Sequence, residues 1–205
     1  MILGLCGTKG SGKDTAASFL LDKGWAQVSF AGPLKDLCAA TFDIKPAKFH
    51  NPRFKDLVWD EPIMLTKDHA DNFIANLSKP LYGQLQANLI YDAFDNKELY
   101  SARQLLQFIG TEVVRDLVSQ TYWLDLAEEK IKDWIGRGVN VVITDIRFKN
   151  ERDLIKDYNG SVVRILRETG SVDNHASEVI DFEVDNVVEN NGTIEELGTK
   201  MEVYV

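Results

Sequence analysis

Hydrophobic positions along the chain follow two periods. Apolar runs starting at about residues 1, 26, 139, 161 and 185 read as short buried strands. Between them apolar residues recur at helical spacing. Residues 14–23 offer Ala16, Ala17, Phe19, Leu20 and Leu21 to one side, with Gly24 as a stop. Pro33 suits a first helical position before Leu34, Leu37 and Cys38, and residues 81–95 carry Leu81, Leu85, Leu89 and Ile90. Ser101 is an N-cap for a helix with Leu105, Leu106, Phe108 and Ile109, and Thr111 can cap the next one. Residues 121–137 and 147–158 continue the series, and Thr193 caps a last helix with Glu195 and Glu196 in its first turn. Residues 43–80 break the pattern: Pro46, Pro52, Pro62 and Pro80 fall there and periodicity is poor, so an irregular excursion is expected.

Alternating strands and helices predict an α/β fold, a mostly parallel five-stranded sheet with helices on both faces. Residues 1–205 read as one domain, with a helical or irregular excursion at about 43–120 and a short polar, lid-like loop at about 168–178. The loop holds His175, which alone is more often structural than catalytic.

Composition narrows the function. The 205 residues are 44% hydrophobic and 27% charged, as in ordinary soluble proteins, and the net charge is −9. That balance argues against a protein that coats nucleic acid, yet a small anion needs only a few local cations. No apolar run approaches the roughly 20 residues of a membrane span. The first residues read as a core strand, which leaves no room for a signal peptide. Cys6 and Cys38 read as buried thiols of a reducing cytoplasm, and His50, His69 and His175 lack metal-ligand spacing. Monomer and homodimer both fit.

The most specific chemistry follows the first strand. Gly7-Thr8-Lys9-Gly10-Ser11-Gly12-Lys13-Asp14-Thr15 has the layout of a phosphate-binding loop, or P-loop, between strand and helix. Side chains at Gly7, Gly10 and Gly12 would block the approach of backbone N–H groups to phosphate. Lys13 would reach the outer phosphates, and the helix start would favour their charge. Asp14 stands where Ser or Thr usually holds Mg²⁺. It can ligate the ion directly or through water, or serve as a helix-start residue while Thr15 contacts phosphate.

Other candidates lie farther along. Asp145 ends a continuous apolar strand, where open α/β sheets bind ligands. It is a candidate Mg²⁺ or water holder; the structural alternative is a capping Asp for the helix 147–158. Arg147 is a candidate phosphate clamp, and Arg167 falls at the same rim. Arg103 and Gln107 lie four apart on one helical face, which suits an anionic, hydrogen-bonding ligand and suits solvent as well.

Together with the glycine loop, five further features resemble the deoxynucleoside monophosphate kinases of tailed bacteriophages. They are Ala31-Gly32-Pro33-Leu34-Lys35, Arg103-Gln104-Leu105-Leu106-Gln107 with Gly110-Thr111, Tyr122-Trp123, Asp145-Ile146-Arg147, and His175 with Glu178. The closing Asn191-Gly192-Thr193-Ile194-Glu195-Glu196-Leu197 belongs to the same resemblance, which covers residues 1 to about 197 except mainly 43–100. Asp14 is normal in that family.

The resemblance implies a P-loop three-layer sandwich that transfers the γ-phosphoryl of ATP to a deoxynucleoside 5′-monophosphate with Mg²⁺. It would act in the cytoplasm, a host's if the chain is of phage origin. ATP would lie on Gly7, Lys9, Gly10, Ser11, Gly12, Lys13, Asp14, Thr15 and Arg167, with Asp14, Thr15 and Asp145 as the magnesium shell. Lys13, Arg103, Asp145 and Arg147 would serve catalysis. Phe30, Lys35, Trp59, Arg103, Gln104, Gln107, Arg115 and Arg147 would bind the acceptor. The nearest rivals are dephospho-coenzyme A and phosphomevalonate kinases. A rival from another class is a nucleotide-binding switch without turnover.

Overall fold

The computed structural model describes residues 1–81, 83–168 and 180–205. The chain divides into two compact units, one of Met1–Phe30 with Leu124–Val205, the other of Ala31–Trp123. The lid-like loop, with His175 and Glu178, lies outside the described residues except for Glu168.

Unit 1 is built on a five-stranded sheet in the order β2-β5-β1-β6-β7, all neighbours parallel. The strands are β1 (Ile2–Cys6), β2 (Ala26–Val28), β5 (Val141–Ile143), β6 (Ser161–Leu166) and β7 (Asn186–Glu189). All five expected strands are present. β1 is fully buried, which matches its unbroken apolar run.

Helices cover both faces of this sheet. On one face α1 (Lys13–Leu21) and α10 (Ile194–Met201) pack Ala16, Ala17, Leu20, Leu197 and Met201 against Leu3, Leu5, Val163 and Ile165. On the other, α8 (Tyr122–Gly136) and α9 (Lys149–Asp157) bring Leu124, Ala127, Ile131 and Ile155 to Ile2, Cys6, Val141, Ile143 and Val162. These are the three layers of the expected sandwich. Gly4 makes the second face possible: a Cβ there would stand 2.2 Å from the Ile146 side chain and 2.5 Å from that of Ile155.

Unit 2 is mainly helical. Its elements are α2 (Ala31–Phe42), α3 (Ala47–His50), α4 (Pro52–Lys55), α5 (Lys67–Asn76), α6 (Gln84–Phe94) and α7 (Ala102–Gln107), with a short antiparallel ribbon of β3 (Ile63–Met64) and β4 (Glu98–Leu99). An aromatic cluster holds it together: Phe94 lies 5.5 Å from Phe73, 5.7 Å from Phe108 and 6.4 Å from Phe42, centroid to centroid.

Residues 43–80 are therefore more regular than their prolines suggest. α5 is the largest departure. Thr66 caps it by accepting from His69 N–H at 3.4 Å, and His69 Nδ1 accepts the Thr66 N–H in return at 3.2 Å. His in place of Glu or Gln hid this capping box. Thr111 does not start a helix either. A wide-turned π-type helix runs unbroken through Phe108–Val118. Trp123 Nε1 donates to the Gly110 carbonyl at 3.0 Å, and Tyr122 Oη accepts from Ser78 N–H at 2.9 Å. Tyr122-Trp123 is thus a structural pair of unit 2.

Asp185 fixes the entry of β7. It accepts from Lys156 Nζ at 2.8 Å and from Val162 N–H at 2.7 Å, and those two bonds hold its carboxyl below the usual range. A lowered folded pKa stabilises above the unfolded value, about 3.9, and that contribution fades as pH falls through the folded value. Asp185→Asn should lower Tm by about 2–4 °C at neutral pH, with the gap from wild type closing below about pH 4. Thermal melts across pH check this.

Candidate functional site

The rim of unit 1 is formed where β1, β2, β5 and β6 end. β1 stops at Cys6, and the chain turns through the glycine loop into α1, whose N-cap is Gly12 with φ 100°. The loop is glycine-rich for two reasons. One is the access to phosphate that the motif requires. The other lies within the protein: a Cβ at Gly7 would stand 2.4 Å from the Ile165 carbonyl oxygen, and one at Gly12 would stand 2.3 Å from Asn190 Nδ2. Both residues also take positive φ values that disfavour any side chain.

Lys13 closes over this loop. Its Nζ donates to the Gly7 carbonyl at 2.7 Å and to that of Thr8 at 3.0 Å. Ser11 is fully buried, and its Oγ has no hydrogen-bond partner among the described residues. An unsatisfied hydroxyl inside an anion-binding turn is a donor in reserve. Asp14 is exposed in the first turn of α1 and takes no part in its cap. Thr15 beside it is half-buried, and Lys9 and Gly10 are exposed at the loop's tip.

Asn190 is a residue positioning the loop that sequence reasoning missed. It is buried at the end of β7, and its Nδ2 donates to the Ser11 carbonyl at 2.8 Å. This bond ties the loop to the far edge of the sheet. In the sequence Asn190 looks like part of the polar turn after the strand. Its only signal was a position at a strand end.

Asp145 sits past β5, where it crosses to β2. Ser29 Oγ donates to its Oδ2 at 2.7 Å and Phe30 N–H donates to its Oδ1 at 3.0 Å. It does not cap α9. That task falls to Glu151, whose Oε2 accepts from Arg147 N–H at 2.7 Å and Phe148 N–H at 3.0 Å. Arg147 follows Asp145 in the same rim segment, and Arg167 is exposed just past β6. Phe30 departs from its expected role. It is 3% exposed and belongs to the core around Ile143 and Ile146, so its ring is not available for stacking on a base.

The Cys6 thiol is pushed up to about 11 by burial, against the pull of Arg164 and Lys13. It stays a neutral thiol at physiological pH.

Unit 2 gathers a second set of candidates at the start of α7. Arg103 pairs with Asp56 through Nε and Oδ1. Gln104 Oε1 accepts the Tyr100 N–H at 2.7 Å, and the Trp59 N–H donates to the Tyr100 carbonyl at 2.7 Å. Trp59, Arg103 and Gln104 are thereby brought together, with Lys48 Nζ 6.0 Å from the centre of the Trp59 ring. Gln107 lies one turn on along α7 and Arg115 is on the wide-turned helix, both half-buried. Lys35 is half-buried on α2. No group of three or more His, Cys, Asp or Glu gathers as a metal site among the described residues. Among them, no helix is long and apolar enough to cross a membrane.

Comparison with known proteins places this geometry in a family. A family profile described as "Deoxynucleotide monophosphate kinase" matches residues 59–201. A putative deoxynucleotide monophosphate kinase of Acanthamoeba polyphaga mimivirus is 31% identical over 96% of this chain and 91% of its own length. The deoxynucleotide monophosphate kinase of Escherichia phage RB69 is 28% identical over 97% of this chain and 96% of its own length. In fold, the chain is similar to the crystal structure of TT1252 from Thermus thermophilus, with a TM-score of 0.51 at 14% identity, covering 100% of this chain and 95% of the other. A glycine loop on the central strand of a three-layer sheet, and a sequence match across most of its length, make this chain a member of the deoxynucleotide monophosphate kinase family, enzymes of the nucleoside monophosphate kinase class.

Proposed function

We propose that this chain transfers the γ-phosphoryl group of ATP to a deoxynucleoside 5′-monophosphate, using a donor site on unit 1 and an acceptor site on unit 2. The observation that carries the reading is the glycine loop, with Lys13 Nζ spanning its carbonyls and the buried Ser11 hydroxyl unpartnered within it. A polyphosphate seated there competes with the Gly7 and Thr8 carbonyls for the ammonium and gives Ser11 Oγ an acceptor. Family membership supplies the acceptor class.

The reaction asks for positioning and charge neutralisation rather than a covalent nucleophile. An acceptor phosphate oxygen, already ionised at pH 7, attacks the γ-phosphorus. The bond to the bridging oxygen breaks, and ADP leaves with the electron pair. Lys13 and the loop N–H groups hold the donor oxygens. At the rim of unit 1, Arg147 neutralises the charge of the phosphoryl group in flight and Arg167 contacts ATP. On unit 2, Arg103 and Arg115 anchor the acceptor phosphate, with Lys35 adding positive charge. Trp59 supplies an aromatic face, and Gln104 and Gln107 supply amides for the base. Residues 31–123 serve as the acceptor module, and the segment at about 168–178 as a lid.

Mg²⁺ suits the donor set. Thr15 Oγ1, the exposed Asp14 carboxylate and the Asp145 carboxylate are hard oxygen donors. The lack of a clustered all-protein site among the described residues accords with an ion whose other ligands are phosphate oxygens and water. Such an ion would offset the charge of the donor phosphates. The viral origin of the relatives supports action in a host cytoplasm. The substrates are small molecules rather than nucleic acid, and monomer and homodimer both fit this reading.

Lys13→Ala should cut kcat/KM about 10²–10³-fold in a coupled ADP assay while leaving Tm nearly unchanged. A normal rate would remove the phosphate-loop argument. Arg103→Ala should raise KM for the deoxynucleotide about tenfold or more, with ATP affinity by titration unchanged. A fall in ATP affinity with acceptor binding intact would reassign Arg103.

A further inference from the structure

β6 carries a charged residue where its sequence calls for an apolar one. Its residues read Ser161, Val162, Val163, Arg164, Ile165 and Leu166. Val163 and Ile165 enter the core on the α1 face, and Val162 enters the core on the opposite face. Strand alternation puts Arg164 on the Val162 face. Its register partner is Cys6, the last residue before the glycine loop, and Cys6 belongs to that same face.

Arg164 Nε is buried and has no hydrogen-bond partner among the described residues. The guanidinium is close enough to act on the Cys6 thiol, as Lys13 does from the loop above. A buried guanidinium donor without a partner is unfavourable, and an anion beside it offsets that cost. The nearest anion-binding feature is the loop that begins one residue after Cys6. A planar fork of N–H donors matches phosphate geometry better than any other side chain does.

We propose that Arg164 is a further donor-binding residue, which reaches from β6 to the phosphates of ATP held on the glycine loop. It acts from the sheet side, while Lys13 and the loop N–H groups act from the other. The inference rests on the loop's being the ATP site. It adds a cation to the Lys13 and Arg167 already assigned there.

The test is calorimetric titration of ATP and of a deoxynucleoside monophosphate into wild type, Arg164→Met, Arg164→Lys and Lys13→Ala, with Tm measured for each without ligand. Arg164→Met is expected to lose at least about tenfold in ATP affinity and to keep its acceptor affinity. Its Tm is expected to equal or exceed that of wild type, because an apolar chain of similar length replaces a half-buried side chain whose Nε is buried without a partner. Arg164→Lys should keep part of the ATP affinity. A merely structural Arg164 gives the reverse, a lower Tm with ATP affinity intact. Unchanged ATP affinity, or an equal loss for both ligands, overturns the proposal whatever the Tm. Should Arg164→Met fail to fold, the same split read in Arg164→Lys decides. If Lys13→Ala also binds ATP normally, the donor-site reading itself fails. If only the Arg164 variants do, that reading stands and this inference falls.

Discussion

The proposed donor half of the enzyme depends on keeping one stretch of backbone bare and held open. The loop after β1 keeps its glycines bare, and Lys13 holds it from within by donating to the Gly7 and Thr8 carbonyls. A second hold comes from elsewhere. Asn190, at the end of the last strand, donates to the Ser11 carbonyl, and its amide fills the space that any side chain at Gly12 would need. The Ile165 carbonyl limits Gly7 in the same way. These contacts require the strand order to be fixed, since β6 and β7 lie on one side of β1 while β5 and β2 lie on the other. The sheet is therefore the jig that shapes the loop, and the two core layers are what fix the sheet.

The same logic explains the rim on the β5 side. Asp145 is aimed by Ser29 and by the Phe30 N–H, so the end of β2 decides where the carboxylate points. Phe30 contributes through its backbone, and its ring anchors that strand end in the core. Glu151 performs the capping of α9.

Much of this was legible in the sequence, for physical reasons. Buried parallel strands are continuous apolar runs, so all five could be placed, and glycine spacing marked the loop. What escaped notice depended on distance along the chain or on unusual local chemistry. Asn190 acts on a residue 179 positions away. The helix Lys67–Asn76 is capped through a histidine, and the wide-turned helix at Phe108–Val118 has no spacing rule of its own. The residues proposed for the acceptor were placed together only indirectly: Arg103, Gln104 and Trp59 do converge, yet they do so through Asp56 and Tyr100, which no motif singled out.

The central claim is that a phosphate loop on unit 1 serves an acceptor that is a deoxynucleoside monophosphate. The most direct measurement is ADP formation with ATP and Mg²⁺ across the deoxynucleoside monophosphates, CMP, UMP and dephospho-coenzyme A. Rapid turnover with one or more deoxynucleotides, little with dephospho-coenzyme A and almost none without an acceptor is the predicted result. Turnover on dephospho-coenzyme A alone, or ATP hydrolysis that no acceptor accelerates, would contradict it.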